Sequence, residues 1–157
     1  MNNMNKIPDI SADDDAWTIA EGNVEGRPLL IRIRPDLVNF QGVESFPMKL
    51  TIRWTYGDDH DSGMPSDQQS EEMRNLEDDL VAEFEREDAG VLAYIYTACG
   101  MREWHFYFAD IEIIQTAINA ATNGKPKMPL EIEADEDPDW SEYMSLAKTV
   151  SSGDSAE

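Results

Sequence analysis

Residues 97–108 read TACGMREWHFYF, and this stretch decides the fold because it predicts two neighbouring strands joined by a tight turn. We expect strands over 91–99 and 102–108, with Gly100-Met101 as a two-residue hairpin turn. Side chains along a strand alternate between the two faces of a sheet. One face of the second strand then carries a core row, Arg102, Trp104, Phe106 and Phe108, and the other carries Glu103, His105 and Tyr107.

The same stretch contains the only cysteine of the chain and one of its two histidines. A nucleophile and its base must lie within hydrogen-bond reach. A turn at Gly100-Met101 places Cys99 beside Arg102 and His105 nearer Tyr96, so the two groups are roughly 10 Å apart along the ladder and on opposite faces. Alternation in the first strand groups Val91, Ala93, Ile95, Thr97 and Cys99 on one face. Cys99 is therefore predicted to be a structural residue.

Working outward, the flanking sequence predicts further elements in a definite order. A hairpin over 17–34 comes first, and a strand over 47–56 follows, with Met48, Leu50, Ile52 and Trp54 on one face. A helix over 66–88 begins with a Ser66/Gln69 capping box and carries the apolar stripe Met73, Leu76, Leu80 and Phe84. A second helix starts after Asp110 and ends at Asn123-Gly124. A strand over 128–133 and a short helical turn near Trp140 complete the set.

From residue 47 onward the predicted order is β-α-β-β-α-β, preceded by a β-hairpin. This order predicts the α+β class and a ferredoxin-like sandwich, an antiparallel sheet with two helices on one face. The opposite face is then open for docking unless the hairpin or a second copy of the chain covers it, so a homodimer through the sheet is one alternative. We divide the chain into a flexible arm (1–15), a single domain (16–147) and a flexible tail (148–157).

The charge is strongly acidic, with 33 acids against 12 bases and a formal net charge of −21. Such a surface repels nucleic-acid phosphates and anionic membranes, and it favours encounters with basic proteins. Simple solubilisation is the favoured explanation of the charge alone, with partner steering as the alternative, and the same two interpretations apply to the acidic helix over 66–88. A single cysteine and the absence of a long apolar run after Met1 predict a cytoplasmic protein.

Two acidic clusters invite a metal assignment, and neither has suitable spacing. Asp58, Asp59, His60 and Asp61 are adjacent, so they cannot all point at one ion in an ordinary loop. The segment 134–142 resembles a calcium loop, but Trp140 and Leu146 stand where an EF-hand needs Gly and Glu. The sequence also lacks phosphate-loop and zinc-ligand patterns, so we expect no metal and no cofactor.

Three segments together resemble a bacterial family of unknown function, domain-of-unknown-function family 695. The first is EGRPLLIRIR, an E-G-x-P-L-L-I-R-type strand that follows Trp17. The other two are TACGMREWHFYF and EDPDWSEY, which resemble the family's G-x-R-E-W/F-x-F-Y strand and its late D-P-x-W-x-x-Y segment. The resemblance covers about residues 16–147 and implies an α/β domain. The family is similar in style to the regulator of ribonuclease activity B, which implies an acidic protein that binds and inhibits or adapts another protein.

These observations predict a non-catalytic, protein-binding regulatory module whose partner is a basic protein. Candidate binding residues on the sheet are Arg102, Glu103, His105 and Tyr107. Near the end of the chain they are Trp140 and Tyr143, although packing over the sheet is favoured over direct contact for Trp140. Glu77, Asp78 and Asp79 are candidate steering charges. The alternative is a small enzyme or ligand-binding domain with a cleft around Arg102, Glu103 and His105.

Overall fold

The structure is a computed structural model that describes residues 17–39, 43–57, 63–86, 89–125 and 130–151. The described elements comprise six strands and three α-helices: β1 (Thr18–Val24), β2 (Arg27–Ile33), β3 (Met48–Thr55), α1 (Asp67–Arg86), β4 (Gly90–Ala98), β5 (Met101–Phe108), α2 (Ile111–Thr122), β6 (Leu130–Glu136) and α3 (Ser141–Ser151). Two short 3₁₀ helices, Pro35–Asn39 and Val43–Ser45, connect β2 to β3. The predicted arm and the Asp58–Asp61 cluster lie outside the described residues.

The six strands form one antiparallel sheet in the order β1-β2-β4-β5-β3-β6. The element order from β3 to β6 is the predicted β-α-β-β-α-β, and the hairpin β1-β2 extends the sheet beyond β4. The α+β prediction is confirmed, while the ferredoxin-like designation stays a prediction. Strand β5 lies between β4 and β3, so the stretch over residues 97–108 contributes an interior strand of the sheet.

One face of the sheet packs against α1 and α2. The predicted rows are confirmed here: Leu50, Ile52 and Trp54 of β3 share one core cluster with Trp104, Phe106 and Phe108 of β5. The cluster also contains the stripe of α1, namely Met73, Leu76, Leu80 and Phe84. Each large side chain buried in this way contributes about 1.5–3 kcal/mol relative to full exposure.

Both predicted helix starts are confirmed in atomic detail. The Ser66 amide donates to Gln69 Oε1 at 2.8 Å, and the Gln69 amide donates to Ser66 Oγ at 3.1 Å, which is a capping box. The Asp110 carboxylate accepts from the Glu112 amide at 2.9 Å. These contacts satisfy amides that have no partner within the first turn of each helix.

The β4–β5 turn lies one residue earlier than predicted. Ala98 pairs with Met101, so the turn residues are Cys99 and Gly100, with φ of 51° and 84°. Two consecutive positive φ values are typical of the type I′ turn, whose twist matches that of antiparallel strands. Cys99 therefore lies in the turn, while Arg102 pairs with Thr97.

A β-bulge in β4 makes the predicted alternation of that strand wrong. The register shifts between Leu92 and Tyr94, so Val91 and Ala93 join Tyr94 on one side while Leu92 and Ile95 face the helices. The earlier turn, and not the bulge, places Tyr94 rather than a position nearer Tyr96 opposite His105, because the register is unbroken from Ala98–Met101 to Tyr94–His105.

The second face of the sheet is not open over its middle, which corrects the expected docking surface. Helix α3 and the two 3₁₀ helices cover it, and the buried cluster there includes Leu37, Phe46, Trp140, Tyr143 and Ala147 together with β2 and β4 side chains. The predicted helical turn is thus an eleven-residue helix that extends into the predicted tail. Neither a second copy of the chain nor the N-terminal hairpin is needed to cover this part of the sheet.

Helix α1 provides a direct test of which acids are structural. Glu77 is buried and accepts hydrogen bonds from Trp104 Nε1 at 3.1 Å and Arg32 at 3.4 Å, whereas its neighbour Asp78 is exposed. We expect Glu77→Ala to lower the free energy of unfolding by about 2 kcal/mol or more, because Arg32 and Trp104 both lose their charged acceptor. Asp78→Ala should change it by less than about 0.5 kcal/mol. Equal effects in urea denaturation would contradict this assignment.

Candidate functional site on the second face of the sheet

The candidate site is a group of polar side chains beside the aromatic contacts of α3. Strand β3 contributes Thr51 and Arg53, and strand β5 contributes Glu103 and His105, because the register places Thr51 opposite His105 and Arg53 opposite Glu103. Two of the predicted binding residues are thus brought together. We call these four residues the polar cluster.

His105 lies at the centre of the polar cluster. Its Nε2 lies 3.0 Å from Glu103 Oε1, and its Nδ1 lies 3.4 Å from Thr51 Oγ1. A carboxylate can only accept, so the proton of the neutral ring resides on Nε2 and the Thr51 hydroxyl donates to Nδ1. The ring also stacks on Tyr94, with centroids 4.2 Å apart. Burial lowers the pKa of His105 below its ordinary value, against the opposing effect of the Glu103 hydrogen bond.

Glu103 is held ionised by two donors. Arg53 Nε donates to its Oε2 at 2.7 Å, and His105 donates to its other oxygen. Burial on its own raises the pKa of this carboxyl, but the hydrogen bonds from His105 and Arg53 outweigh it and lower the pKa to about 2. Glu103 is therefore a permanent acceptor at neutral pH and cannot serve as a general acid.

The order Thr51–His105–Glu103 is that of a hydroxyl, a base and an orienting carboxylate. Two features favour a structural role for it. Thr51 and His105 are each 7% exposed, and the hydroxyl-to-imidazole distance is long for a catalytic contact. In this geometry the three side chains hydrogen-bond one another, and the bond between Thr51 and His105 links β3 to β5.

Arg102 lies apart from the polar cluster, on the helix-covered face. Its Nε donates to Thr97 Oγ1 at 2.9 Å, and burial lowers its pKa. The predicted cleft around Arg102, Glu103 and His105 therefore does not form, because strand alternation sends Arg102 to the opposite side of the sheet from the other two.

The aromatic residues predicted to contact a partner form an internal clamp. Tyr107, Trp140 and Tyr143 are completely buried, so the expected exposure of Tyr107 to a partner is wrong. The Tyr107 ring stacks on Trp140 with centroids 4.2 Å apart, and Trp140 Nε1 donates to the Phe46 carbonyl at 2.8 Å. The Tyr143 hydroxyl donates to the Arg34 carbonyl. The favoured packing role of Trp140 agrees with this burial.

Asp137 connects the clamp to the start of α3. It accepts from the Tyr107 hydroxyl at 2.7 Å and from the amides of Ser141 and Glu142 at 2.8 and 3.1 Å. Trp140, at a positive φ of 54°, occupies the N-cap position, where its own side chain cannot cap. Burial raises the pKa of Asp137, but its hydrogen bonds from Ser141 and Tyr107 outweigh burial and hold the pKa below its ordinary value.

The three predicted steering charges separate in the structure. Glu77 is buried on the side of α1 that faces the sheet, so it is not a steering charge. Its hydrogen bonds with Arg32 and Trp104 explain this burial. Asp79 forms an ion pair with Lys125, while Asp78 remains exposed. Glu85 likewise pairs with Arg34, which directly follows β2, at 3.3 Å. Part of the acidity of α1 is therefore offset by ion pairs with Arg32, Arg34 and Lys125.

Sequence reasoning missed the contribution of β6. This strand extends to Glu136, three residues beyond its predicted end, and residues 131–136 are all exposed. Arg53 lies 3.6 Å from Glu131 and 3.9 Å from Glu133, so the polar cluster continues to the edge of the sheet. The alternation of acids and apolar residues in LEIEADE was the signal that could have revealed it.

Fold and site together define an α+β domain with a hydrogen-bonded polar cluster on the second face of its sheet and a row of exposed acids along β6. A family model described as a family of unknown function, DUF695, matches residues 15–146, and the chain belongs to this family. The predicted membership is confirmed; the similarity to the ribonuclease regulator stays a prediction. No curated protein and no solved structure is significantly similar to the chain.

Two kinds of feature are absent from the described residues. No group of three His, Cys, Asp or Glu side chains there has the geometry to hold a metal ion. No helix in the same part of the chain is long and apolar enough to cross a membrane.

The clamp makes a prediction for a single hydroxyl. Tyr107→Phe removes the donor to Asp137, so we expect the free energy of unfolding to fall by about 1.5–3 kcal/mol, the range for a hydrogen bond to a charged group. Tyr96→Phe, on the preceding strand and partly exposed, should change it by less than about 0.5 kcal/mol. Chemical denaturation followed by tryptophan fluorescence measures both, and equal values would disprove the clamp.

The lowered pKa of Glu103 predicts a pH dependence. Because the folded-state pKa of about 2 lies below the ordinary 4.5, the stabilisation is complete above about pH 5 and is lost as the pH falls towards 2. We expect the loss to be about 2 kcal/mol, reduced from the full value because solvent screens the partly open pair with Arg53. Glu103→Gln should flatten this part of the profile of unfolding free energy against pH. Glu131→Gln, beside the same Arg53 but exposed, should retain it.

Proposed function

We propose that this protein is a non-catalytic binding module that docks a basic protein through its acidic surface. The observation that carries the proposal is the division of its ionisable groups into two sets. Four of the groups with shifted pKa values, Glu103, His105, Tyr107 and Asp137, are hydrogen-bonded to one another or to the backbone. Perturbed groups of that kind are positioned for stability, and none of them combines exposure with an unsatisfied proton donor or acceptor.

The second set lies at the surface and is acidic. Residues 130–142 contain seven acids and no base. Within this segment Glu131, Glu133, Asp135, Glu136, Asp139 and Glu142 are exposed, and Glu71, Glu72 and Asp78 of α1 are exposed as well. Nearby bases offset only part of this charge, since Arg53 is already bound to Glu103 and Lys49 pairs with Glu142 at 3.0 Å.

This distribution supports protein binding over simple solubilisation. Solubility requires only a large net charge spread over the surface. Like charges on consecutive exposed positions of one short segment repel one another, and a positively charged partner relieves that repulsion. The same charge repels phosphates, so the proposal excludes direct recognition of nucleic acid.

The proposal predicts a salt-sensitive and acid-dependent interaction. Immobilised wild-type protein should retain one or a few proteins of high isoelectric point from lysate at low salt and release them near 1 M salt, where the Debye length is about 3 Å. A variant with the exposed acids amidated (Glu71, Glu72, Asp78, Glu131, Glu133 and Asp135) should retain roughly a tenth as much or less.

The control is a variant in which the same number of acids is neutralised at other positions of the chain. Circular dichroism checks that its fold is unchanged. Capture that is insensitive to salt, or equal for wild type and the amidated variant, would contradict the proposed function.

A further inference from the structure

Strand β6 forms one edge of the sheet. Within the described residues it pairs with β3 on one side and with no strand on the other. Along an unpaired edge, alternate residues point their N–H and C=O groups outward, where they can bond a further strand. The backbone of β6 is thus a ready acceptor for an extended segment.

The two faces of β6 have different chemistry. Ile132 pairs with Ile52 and Leu130 with Trp54, so the even positions, Leu130, Ile132 and Ala134, lie on the helix-covered face. The odd positions, Glu131, Glu133 and Asp135, pair with β3 residues of the other face. The strand therefore presents an acidic row on one side and an apolar row on the other.

The apolar row borders a groove beside α2. This groove has a volume of about 500 Å³ and is lined by β6 and α2 side chains that include Ile111, Ile118, Ile132 and Ala134. Ile111 and Ile132 are 46% and 47% exposed, which is unusual for isoleucine on an ordered element. Additional apolar side chains placed next to Ile132 would cover both.

We propose that β6 is the docking edge, and that its occupant is an extended segment of a partner protein with alternating basic and apolar residues. This inference rests on the proposed function and specifies its site. The segment adds a seventh strand whose backbone hydrogen-bonds the outer edge of β6. Its Lys or Arg side chains lie opposite Glu131, Glu133 and Asp135. Its apolar side chains lie next to Ile132 and cover the groove beside α2. Strand addition obtains affinity from the main chain and selectivity from alternate side chains.

A second copy of this chain does not fit the edge. If two β6 strands pair antiparallel with α2 of both copies on the same side of the sheet, odd positions face odd positions. Glu131, Glu133 and Asp135 then meet one another, and like charges directly opposite are destabilising. The charge row excludes self-pairing and selects a basic strand.

The opposite edge, β1, lacks this combination. Its exposed row is Ile19, Glu21 and Asn23, with one acid among three residues, and Gly22 weakens the strand. Charge complementarity with a basic strand is therefore specific to β6.

The test uses three synthetic peptides and the full-length protein. The first is Lys-Val-Lys-Val-Lys-Val-Lys, which matches the seven residues of β6. The second has the same composition with all lysines first, and the third is the alternating peptide with a central proline, which cannot complete a ladder. Affinity is measured by calorimetry at low salt, and amide hydrogen exchange is followed residue by residue.

The alternating peptide should bind roughly tenfold or more tightly than either control peptide, and it should slow exchange at alternate amides of β6 but not of β1. Glu131→Lys/Glu133→Lys should weaken its binding roughly tenfold or more. Glu21→Lys/Glu25→Lys, which makes the same charge change at exposed positions of the opposite edge and its turn, should weaken it less than about threefold.

Two other outcomes overturn the inference, and they differ in whether the proposed function also fails. If all three peptides bind equally and exchange at β6 is unchanged, the docking edge is wrong while acid-dependent binding of a basic partner stands. If no peptide binds at low salt and the salt-sensitive capture from lysate is also absent, both the edge and the proposed function are wrong.

Discussion

The carboxylate of Asp137 is the constraint on which the rest of the second face depends. It caps α3 in place of Trp140, whose left-handed backbone occupies the N-cap position, and it accepts the Tyr107 hydroxyl from the sheet. One group thus fixes both where the helix begins and which strand it lies against. With the helix in place, Trp140 stacks on Tyr107 and Tyr143 reaches the backbone of Arg34. Packing and capping therefore explain the roles of Asp137, Trp140 and Tyr143 in this late segment.

Closing that face leaves the exposed charged side chains at the margin of the sheet. The polar cluster survives at the margin of the covered area because each of its members is paired, and Arg53 links it to the acids of β6. A half-buried carboxylate beside a neutral imidazole is stable there only while these partners stay in place. The cluster consequently holds β3 and β5 together and positions Arg53, and the exposed acids of β6 are left to face solvent or a partner.

The sequence predicted most of the framework because its signals were local and periodic. Alternation in β3 and β5, the stripe of α1 and the caps at Ser66 and Asp110 each depend on residues close in sequence, and the structure confirms them. Strand β4 gave no such signal: eight of its nine residues are buried, so neither face differs in polarity, and the bulge at Leu92–Tyr94 leaves no trace in the pattern.

Long-range pairing was the other limit of sequence reasoning. Glu77 looked like one more acid on a solvated helix face, and only the fold brings Arg32 and Trp104 to it. Tyr107 looked available to a partner until α3 covered it. The candidate site was therefore half predicted: Glu103 and His105 do share a face, but Arg102 lies on the other, and the edge strand that completes the surface was expected to end too early.

Amide hydrogen exchange of the free protein tests the central claim most directly, namely that α3 closes the second face and leaves β6 as the accessible edge. Amides of α3 from Met144 onward and of β5 should exchange only with global unfolding, while alternate amides of β6 should exchange orders of magnitude faster. If the amides of α3 exchange as fast as the outer amides of β6, the helix does not close the sheet and the account is wrong.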